Sequence, residues 1–204
     1  MLKLQQFVCD FAEGLREADR ERPVARSMRS GIAFAAGIGP HTEAATVALV
    51  MTQLRQRWPE RYENFEIGVP YPKIKRQRCD LCIGTAPSWD WAVEVKLLRM
   101  LGDNGQPNDN MLMHILSPYP AHRSALTDCR KLLGAGLGKR NAILIYGFEH
   151  SDWPLEPAIA AFEALARATF TLGPRCTAAF DGLIHRVHDR GAIFAWELHS
   201  ESHA

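Results

Sequence analysis

Two short apolar runs joined by a turn limit the folds that this chain can adopt, because each run carries charged residues within a pattern otherwise typical of buried strands. Residues 78–83 and residues 91–97 are rich in apolar and β-branched side chains, and Gly84, Pro87 and Ser88 lie between them. Runs of this kind, bounded by residues that break regular structure, predict two neighbouring β-strands.

Strand alternation predicts that the charges of both runs lie on one side of the sheet. Side chains along a strand point to its two faces in turn. Asp80 is therefore expected on the face of the first strand that is opposite its apolar side chains. Glu94 and Lys96 are expected together on the corresponding face of the second strand. The opposite, apolar faces are expected to carry Cys79, Leu81 and Ile83 in the first run and Trp91, Val93, Val95 and Leu97 in the second. Because unpaired buried charges cost several kcal/mol, these three residues must pair with each other or hold a metal ion. We therefore expect a functional site here.

The chain as a whole has the composition of one soluble globular domain spanning residues 1–204. Its 204 residues suffice for a real core, and 47% of them are hydrophobic. No apolar run is long enough for a membrane span, and the first residues do not resemble a signal peptide. Five cysteines without a secretory signal predict reduced thiols in the cytoplasm. The net charge of +1 neither favours nor excludes a nucleic-acid partner.

Hydrophobic periodicity and helix breakers predict a mixed α/β sheet flanked by helices. The loop 102–120 is rich in Gly, Asn, Asp and Pro and is expected to form a mobile flap beside the site. The predicted elements, in order, are helices at 2–19 and 40–58, a strand at 65–71, the two strands described above, a helix at 121–133, a strand at 141–148, a helix at 155–168 and a hairpin at 177–188 and 192–198.

Glu43 is a further candidate for the site. It precedes Val47 and Val50 by four and seven residues, which places it at the top of the buried face of its helix. An acidic residue in a first turn also simply complements the helix dipole, and the sequence favours neither interpretation.

A run of cations precedes Asp80: Lys73, Lys75, Arg76 and Arg78. Most charge runs form a solvated edge. The position of this run beside the predicted site equally favours contacts with nucleic-acid phosphates.

Three other motifs are poor candidates. Cys79 and Cys82 lack further zinc ligands at matching spacing and, three apart on a strand, are expected on opposite faces. The same argument excludes His185 and His188 as a metal pair. The glycine-rich residues 134–139 follow a helix instead of joining a strand to a helix, so they predict a helix stop and not a phosphate loop.

Asp80 and Glu94 supply the carboxylate oxygens that Mg²⁺ or Mn²⁺ prefers. A lysine on the same face, such as Lys96, can hold an attacking water or stabilise charge on a phosphate. Asp80 followed by Glu94-Val95-Lys96 on the next strand resembles the PD-(D/E)XK nuclease superfamily. The element order over residues 40–148 is similar to the αβββαβ core of that restriction-endonuclease-like fold, with an added N-terminal helix and a C-terminal helix and hairpin.

The resemblance implies roles for individual residues. Asp80, Glu94 and Glu43 would bind the metal, and Lys96 would serve the nucleophilic water. Cys79 stands where the nominal motif has proline, a position that is often replaced in this superfamily. The helix at 121–133 corresponds to one that often lends a polar residue to the site, and its polar face offers Arg123, Thr127 and Lys131 for nucleic-acid contacts.

Two functions are consistent with these residues and their order. The first is a metal-dependent nuclease that hydrolyses phosphodiester bonds, with DNA as the expected substrate. The alternative is a non-catalytic nucleic-acid-binding or assembly subunit of the same fold, in which the charges form a structural network. Cutting both strands of a duplex would suit a homodimer, although no residue pattern indicates one.

Overall fold

The computed structural model describes residues 2–72 and 74–199. Its α-helices are α1 (Leu4–Arg20), α2 (Glu43–Arg57), α3 (Pro59–Tyr62), α4 (Met113–Leu116), α5 (Ala125–Ala135) and α6 (Glu156–Arg167), and Pro120–His122 forms a 3₁₀ turn. Its strands are β1 (Phe65–Pro70), β2 (Arg78–Thr85), β3 (Ser88–Leu98), β4 (Gly138–Phe148), β5 (Thr171–Leu172), β6 (Cys176–Phe180) and β7 (Gly191–His199).

The strands form one mixed seven-stranded sheet in the order β1-β2-β3-β4-β7-β5, with β6 also pairing β7. Strands β3 and β4 are parallel, with α5 in the connection between them, and the other pairs are antiparallel. The predicted α/β class, a mixed sheet flanked by helices, is confirmed.

Two apolar layers cover the two faces of this sheet. Helices α1 and α2 pack on one face, where Val50 and Leu54 of α2 are fully buried. Helices α5 and α6 pack on the other face, together with Ile143 and Ile145 of β4. Because β4 is covered on both faces, its residues 142–148 form an unbroken buried run, as expected of a central strand.

The boundaries of several elements differ from the sequence predictions. Helix α2 begins at Glu43 because the Thr42 hydroxyl caps it, accepting the N–H of Ala45 at 3.3 Å. The glycine stop after α5 is confirmed, since Gly136 takes a left-handed φ of 60°. Strand β5 was not predicted, because two residues are too few to carry a period.

The C-terminal hairpin exists, but its connection is wrong in the prediction. Strands β6 and β7 pair directly, and residues 181–190 form a loop in place of a tight turn. The loop packs inward: Leu183, His185 and His188 are buried, and the Asp19 carboxylate accepts the Ile184 N–H at 2.6 Å. Among the helices of the described ranges, none has the length and apolar character needed to cross a bilayer.

Candidate functional site

The sheet opens between β2 and β3 at the predicted site. Their pairing runs as far as Leu81 opposite Val93 and ends there. On the other side of β2, Ile67 and Val69 of β1 pair with Leu81 and Cys79. Gly68, which lies between them opposite Asp80, has a left-handed φ of 68°. Asp80 therefore sits where the ladders on both sides are interrupted.

Two carboxylates accept backbone N–H groups of β3 beyond the point where its pairing with β2 ends. The Val95 N–H of β3 donates to Asp80 Oδ2 at 2.8 Å. The Leu97 N–H, two residues further, donates to Glu43 Oε2 at 2.9 Å. Glu43 thus reaches from the start of α2 to the edge of β3, which makes it part of the site and more than a partner of the helix dipole.

The four residues predicted as catalytic line one cavity of about 250 Å³. Strand β2 provides Asp80, β3 provides Glu94 and Lys96, and α2 provides Glu43. The remaining lining residues are Arg76, Gln77, Arg78, Arg123, Asp128 and Lys131. Acidic groups therefore form the floor of the cavity, and cations surround it.

Glu94 is the most buried carboxylate of the predicted set, with 1% of its surface exposed. Its Oε1 accepts a hydrogen bond from the Tyr71 hydroxyl at 2.6 Å and lies 3.1 Å from Lys131 Nζ. Burial, followed by repulsion from Asp80 and Asp128, raises the pKa of Glu94 well above its ordinary value. The carboxylate of Glu94 is therefore held in place, but burial and its acidic neighbours disfavour its charged form.

Lys96 lies between acidic groups from both helical layers. Its Nζ is 2.8 Å from Asp128 Oδ2 on α5 and 3.3 Å from Glu43 Oε1 on α2. Burial alone would lower the pKa of Lys96, but Glu43, Asp128 and Asp80 outweigh burial and raise it. Lys96 is a fixed cation at neutral pH.

Asp128 belongs to this cluster but was not among the residues predicted from the sequence. It is 1% exposed and bridges Lys96 and Lys131, with its Oδ1 2.5 Å from Lys131 Nζ. A sequence signal exists: Asp128 lies three residues after Ala125 and four before Leu132, so this charge falls on the apolar face of α5.

Only part of the predicted cationic run reaches the cavity. Arg76 and Arg78 line it, and Arg78 also donates to the Gly68 carbonyl at 2.6 Å. Lys75 is exposed and lies outside the lining. Lys73 falls outside the described residues.

The polar residues of the α5 region are divided in the same way. Arg123 and Lys131 line the cavity. Thr127 is buried, and its hydroxyl donates to the Ser124 carbonyl at 2.9 Å within the first turn of the helix. The segment 102–120 lies beside the site, since Met111 and Met113 enclose a second cavity of about 530 Å³ that shares Glu43, Lys96 and Arg123 with the first. It is not a loop throughout, because it contains α4.

The donor chemistry suits a hard divalent cation at two of the three predicted ligands. Asp80 and Glu94 lie within hydrogen-bonding reach of each other, which contributes to the raised pKa of Glu94. Mg²⁺ is commonly held by one or two carboxylates, with waters in its other positions. Within residues 2–72 and 74–199, however, no three His, Cys, Asp or Glu side chains are arranged to hold one ion. Glu43 is instead engaged by the Leu97 N–H and Lys96.

The two cysteines do not lie on opposite faces, so that prediction is wrong. Cys79 lies in the same apolar cluster as Cys82, whereas Leu81 and Ile83 lie in the other cluster. The neighbouring Cys82 thiol, followed by burial, raises the pKa of Cys79. Strict alternation is lost because pairing with β3 ends at Leu81.

The histidines were also placed wrongly. His185 and His188 lie in the loop 181–190, and their rings stack with centroids 4.8 Å apart. They do not occupy opposite faces of a strand.

Comparisons of this chain with protein-family models, curated proteins and solved structures found no match.

Proposed function

We propose that this protein is a divalent-metal-dependent nuclease that hydrolyses phosphodiester bonds in DNA. The observation that carries the proposal is the meeting of Asp80, Glu94 and Lys96 from adjacent strands in one cavity rimmed by cations. The order α2-β1-β2-β3-α5-β4, with β3 and β4 parallel, supports a core similar to that of the PD-(D/E)XK nucleases.

The cationic rim suits a phosphodiester backbone. Arg76, Arg78, Arg123 and Lys131 surround a floor that contains four carboxylates. Such a floor would repel a phosphate unless a cation intervenes, whereas the rim attracts the backbone on either side without reading sequence.

Asp80 and Glu94 would hold the metal ion. When bound, Mg²⁺ or Mn²⁺ lowers the pKa of a coordinated water and neutralises charge that develops on the phosphate. The chain prepares this position by fixing both carboxylates, Asp80 through the Val95 N–H and Glu94 through the Tyr71 hydroxyl.

Lys96 would act as a hydrogen-bond donor and not as a general base. Its raised pKa keeps the amine protonated, so it has no lone pair with which to accept a proton or bind a metal. A fixed ammonium can orient the attacking water or stabilise the negative charge of the transition state. Asp128 positions this ammonium from the α5 side.

One observation favours the second candidate, a non-catalytic nucleic-acid-binding or assembly subunit. Lys131 pairs with both Glu94 and Asp128, and Lys96 pairs with Asp128. These internal pairs compensate the buried charges without any metal.

Cleavage assays separate the two candidates. Purified protein is incubated with plasmid, linear duplex and single-stranded DNA and with RNA, in Mg²⁺, in Mn²⁺ and in EDTA. The nuclease proposal predicts cleavage of DNA only with a divalent ion, and loss of cleavage in the Asp80→Asn/Glu94→Gln double variant purified in parallel. A wild type that binds DNA but cuts no nucleic acid with either ion would establish the non-catalytic candidate.

A further inference from the structure

Residues 23–37, called the arm below, form a two-stranded ribbon between α1 and α2. Backbone hydrogen bonds cross it from base to tip: Gly37 N–H to Pro23 O at 2.9 Å, Phe34 N–H to Ala25 O at 2.9 Å and Ser27 N–H to Ile32 O at 2.9 Å. Arg26 and Ala33 form an antiparallel bridge. The arm is therefore a short hairpin, held together by three backbone hydrogen bonds and one bridge.

The arm carries apolar side chains but does not bury them. No residue from 21 to 36 is buried. Met28 at the tip is 99% exposed, Ile32 is 70% exposed and Val24 is 51% exposed. An isolated two-stranded ribbon is marginal in water, and a run of exposed apolar residues on it marks an interaction surface.

The charge of the arm is of one sign. Residues 23–37 contain Arg26 and Arg29 and no Asp or Glu. This complements a polyanion and opposes pairing with a second, equally charged arm. Nucleic acid therefore suits the arm better than a second copy of this chain does.

The base of the arm is fixed beside the candidate site. Asp19 Oδ1 accepts the Ile38 N–H at 2.8 Å, and Arg99 donates to the Gly39 carbonyl at 2.8 Å. Gly37, with φ 115°, leaves no room for a side chain, because a Cβ there would lie 2.8 Å from Asp19 Oδ1. Glu43 follows four residues after Gly39, so the base of the arm adjoins the candidate site.

We propose that the arm enters the major groove of B-form DNA next to the phosphate held in the cavity. The major groove of B-DNA admits a two-stranded β-ribbon. Arg26 and Arg29 contact backbone phosphates, and Met28 and Ile32 contact base edges. The major groove of A-form RNA is deep and narrow and excludes such a ribbon, so the arm restricts the substrate to duplex DNA. This inference rests on the nuclease function proposed above.

Fluorescence anisotropy with a labelled duplex in EDTA tests the arm without cleavage. We expect Arg26→Ala/Arg29→Ala to weaken binding to duplex DNA and to reduce the slope of log K against log salt by about 1.8, the value for two lost phosphate contacts. Met28→Ala/Ile32→Ala should weaken binding with an unchanged slope, because no charge is removed. None of the four residues is buried, so the fold should tolerate both variants.

A matched control removes two cations at the other end of the sheet. Lys3 lines a cavity with Thr85 and Trp91, and Lys139 pairs with Asp90. Lys3→Ala/Lys139→Ala should leave both the affinity for duplex DNA and its salt slope unchanged. Wild type should bind duplex RNA more weakly than duplex DNA, and the arm variants should leave RNA binding unaltered.

The outcomes distinguish the arm from the function on which it rests. If wild type binds and cuts duplex DNA while the arm variants behave like the control, the arm proposal is wrong and the nuclease function stands. Equal loss of duplex RNA and DNA binding in the arm variants would also overturn it. So would a change of molecular mass in Met28→Ala/Ile32→Ala with unchanged DNA affinity, which would make the arm a self-association surface. A wild type that neither binds nor cuts nucleic acid overturns both proposals.

Discussion

The Asp80 carboxylate accepts the Val95 N–H at 2.8 Å, at the point where strands β2 and β3 cease to pair. A side chain thus occupies a position that a backbone carbonyl would fill in a continuous ladder. The same bond fixes the carboxylate beside Glu94, on the next strand. The structural and the proposed metal-binding roles of Asp80 are therefore separable by substitution.

Asp80→Asn and Asp80→Ala should differ in stability but agree in metal binding. The asparagine oxygen can still accept the Val95 N–H, so this variant should be at least as stable as wild type in EDTA. Alanine leaves the N–H without its partner, which costs about 1–3 kcal/mol if it stays buried. Both variants should bind Mn²⁺ at least about 10-fold more weakly, since carboxylate charge sets the affinity.

Urea unfolding and calorimetric titration with Mn²⁺ measure these two quantities on the same samples. Unchanged Mn²⁺ affinity in both variants would remove Asp80 from the metal site. Equal stability of the two variants would show that the hydrogen bond from the Val95 N–H to the side chain of residue 80 makes no net contribution to the free energy of unfolding.

Glu94→Gln should change the pH dependence of stability in a defined direction. The pKa of Glu94 is raised in the folded protein. Below the ordinary carboxyl pKa both states are protonated and no penalty exists. As pH rises above it, the unfolded chain ionises while the folded chain holds its proton, so wild type loses stability. In EDTA, Glu94→Gln should therefore be more stable than wild type at pH 8, with a difference that shrinks towards pH 5.

Glu197 provides a control of opposite sign. Its hydrogen bond with Arg140 lowers the pKa of Glu197, so its stabilising contribution is present at neutral pH and is lost on acidification. Glu197→Gln should be less stable than wild type at pH 8.

Mn²⁺ at about 100 times its dissociation constant should stabilise wild type by about 2.7 kcal/mol and Glu94→Gln much less. A Glu94→Gln variant less stable than wild type at pH 8 in EDTA would contradict the raised pKa of Glu94.

Local pattern sufficed to predict the central part of this site. Val93 and Val95 do lie in one apolar cluster, and Glu94 and Lys96 share the cavity on the other side. The alternation is reliable there because β3 pairs with β4 without a gap from Trp91 to Leu98, which keeps this part of the strand regular. Glu43 was a candidate because it lies at the top of the buried face of its helix, but its role in the helix dipole was an equal alternative until the structure showed its bond to the Leu97 N–H.

What the pattern missed depends on contacts distant in sequence. Cys79 departs from alternation where β2 still pairs with β1 but no longer pairs with β3. No local sequence rule predicts where such a pairing ends. The loop 181–190 packs on Asp19, more than 160 residues earlier in the chain. Asp128 was detectable as a charge on an apolar helix face, but its partner Lys96 lies on another element, so only the fold reveals what it pairs with.

Asp128→Asn should reduce turnover by altering Lys96 rather than DNA binding. Asparagine keeps the shape but removes a charge that raises the pKa of Lys96. We expect a single-turnover rate about 10-fold lower, as for residues that orient a functional group, and a decline of rate on the alkaline side that begins at lower pH than in wild type.

The matched control is Asp90→Asn, which removes a carboxylate that pairs with Lys139 on the surface. It should retain the wild-type rate and pH profile. An Asp128→Asn variant with a lower rate but an unshifted alkaline limb would leave Asp128 a merely structural role.

Arg76 and Lys75 are neighbours in sequence that differ in position, which makes them a sharp comparison. Arg76 lines the cavity, whereas Lys75 is exposed outside it. Arg76→Gln should weaken binding to all DNA sequences alike and reduce the salt slope by about 0.9, the value for one phosphate contact. Lys75→Gln should leave the slope unchanged. Equal slopes for the two variants would show that Arg76 makes no phosphate contact and that this cationic run is a solvated edge.

Single-turnover cleavage by Lys96→Met, with saturating duplex DNA and Mn²⁺, measures the contribution of the Lys96 ammonium to catalysis. Methionine keeps the apolar stem of the side chain and removes the ammonium that lies 2.8 Å from Asp128 and 3.3 Å from Glu43. We expect retained DNA and Mn²⁺ binding and a rate lower by about 100-fold or more, as when one transition-state donor is removed. Lys139→Met, at a surface ion pair, should cut like wild type. A Lys96→Met variant that cuts as fast as wild type would contradict the proposed mechanism.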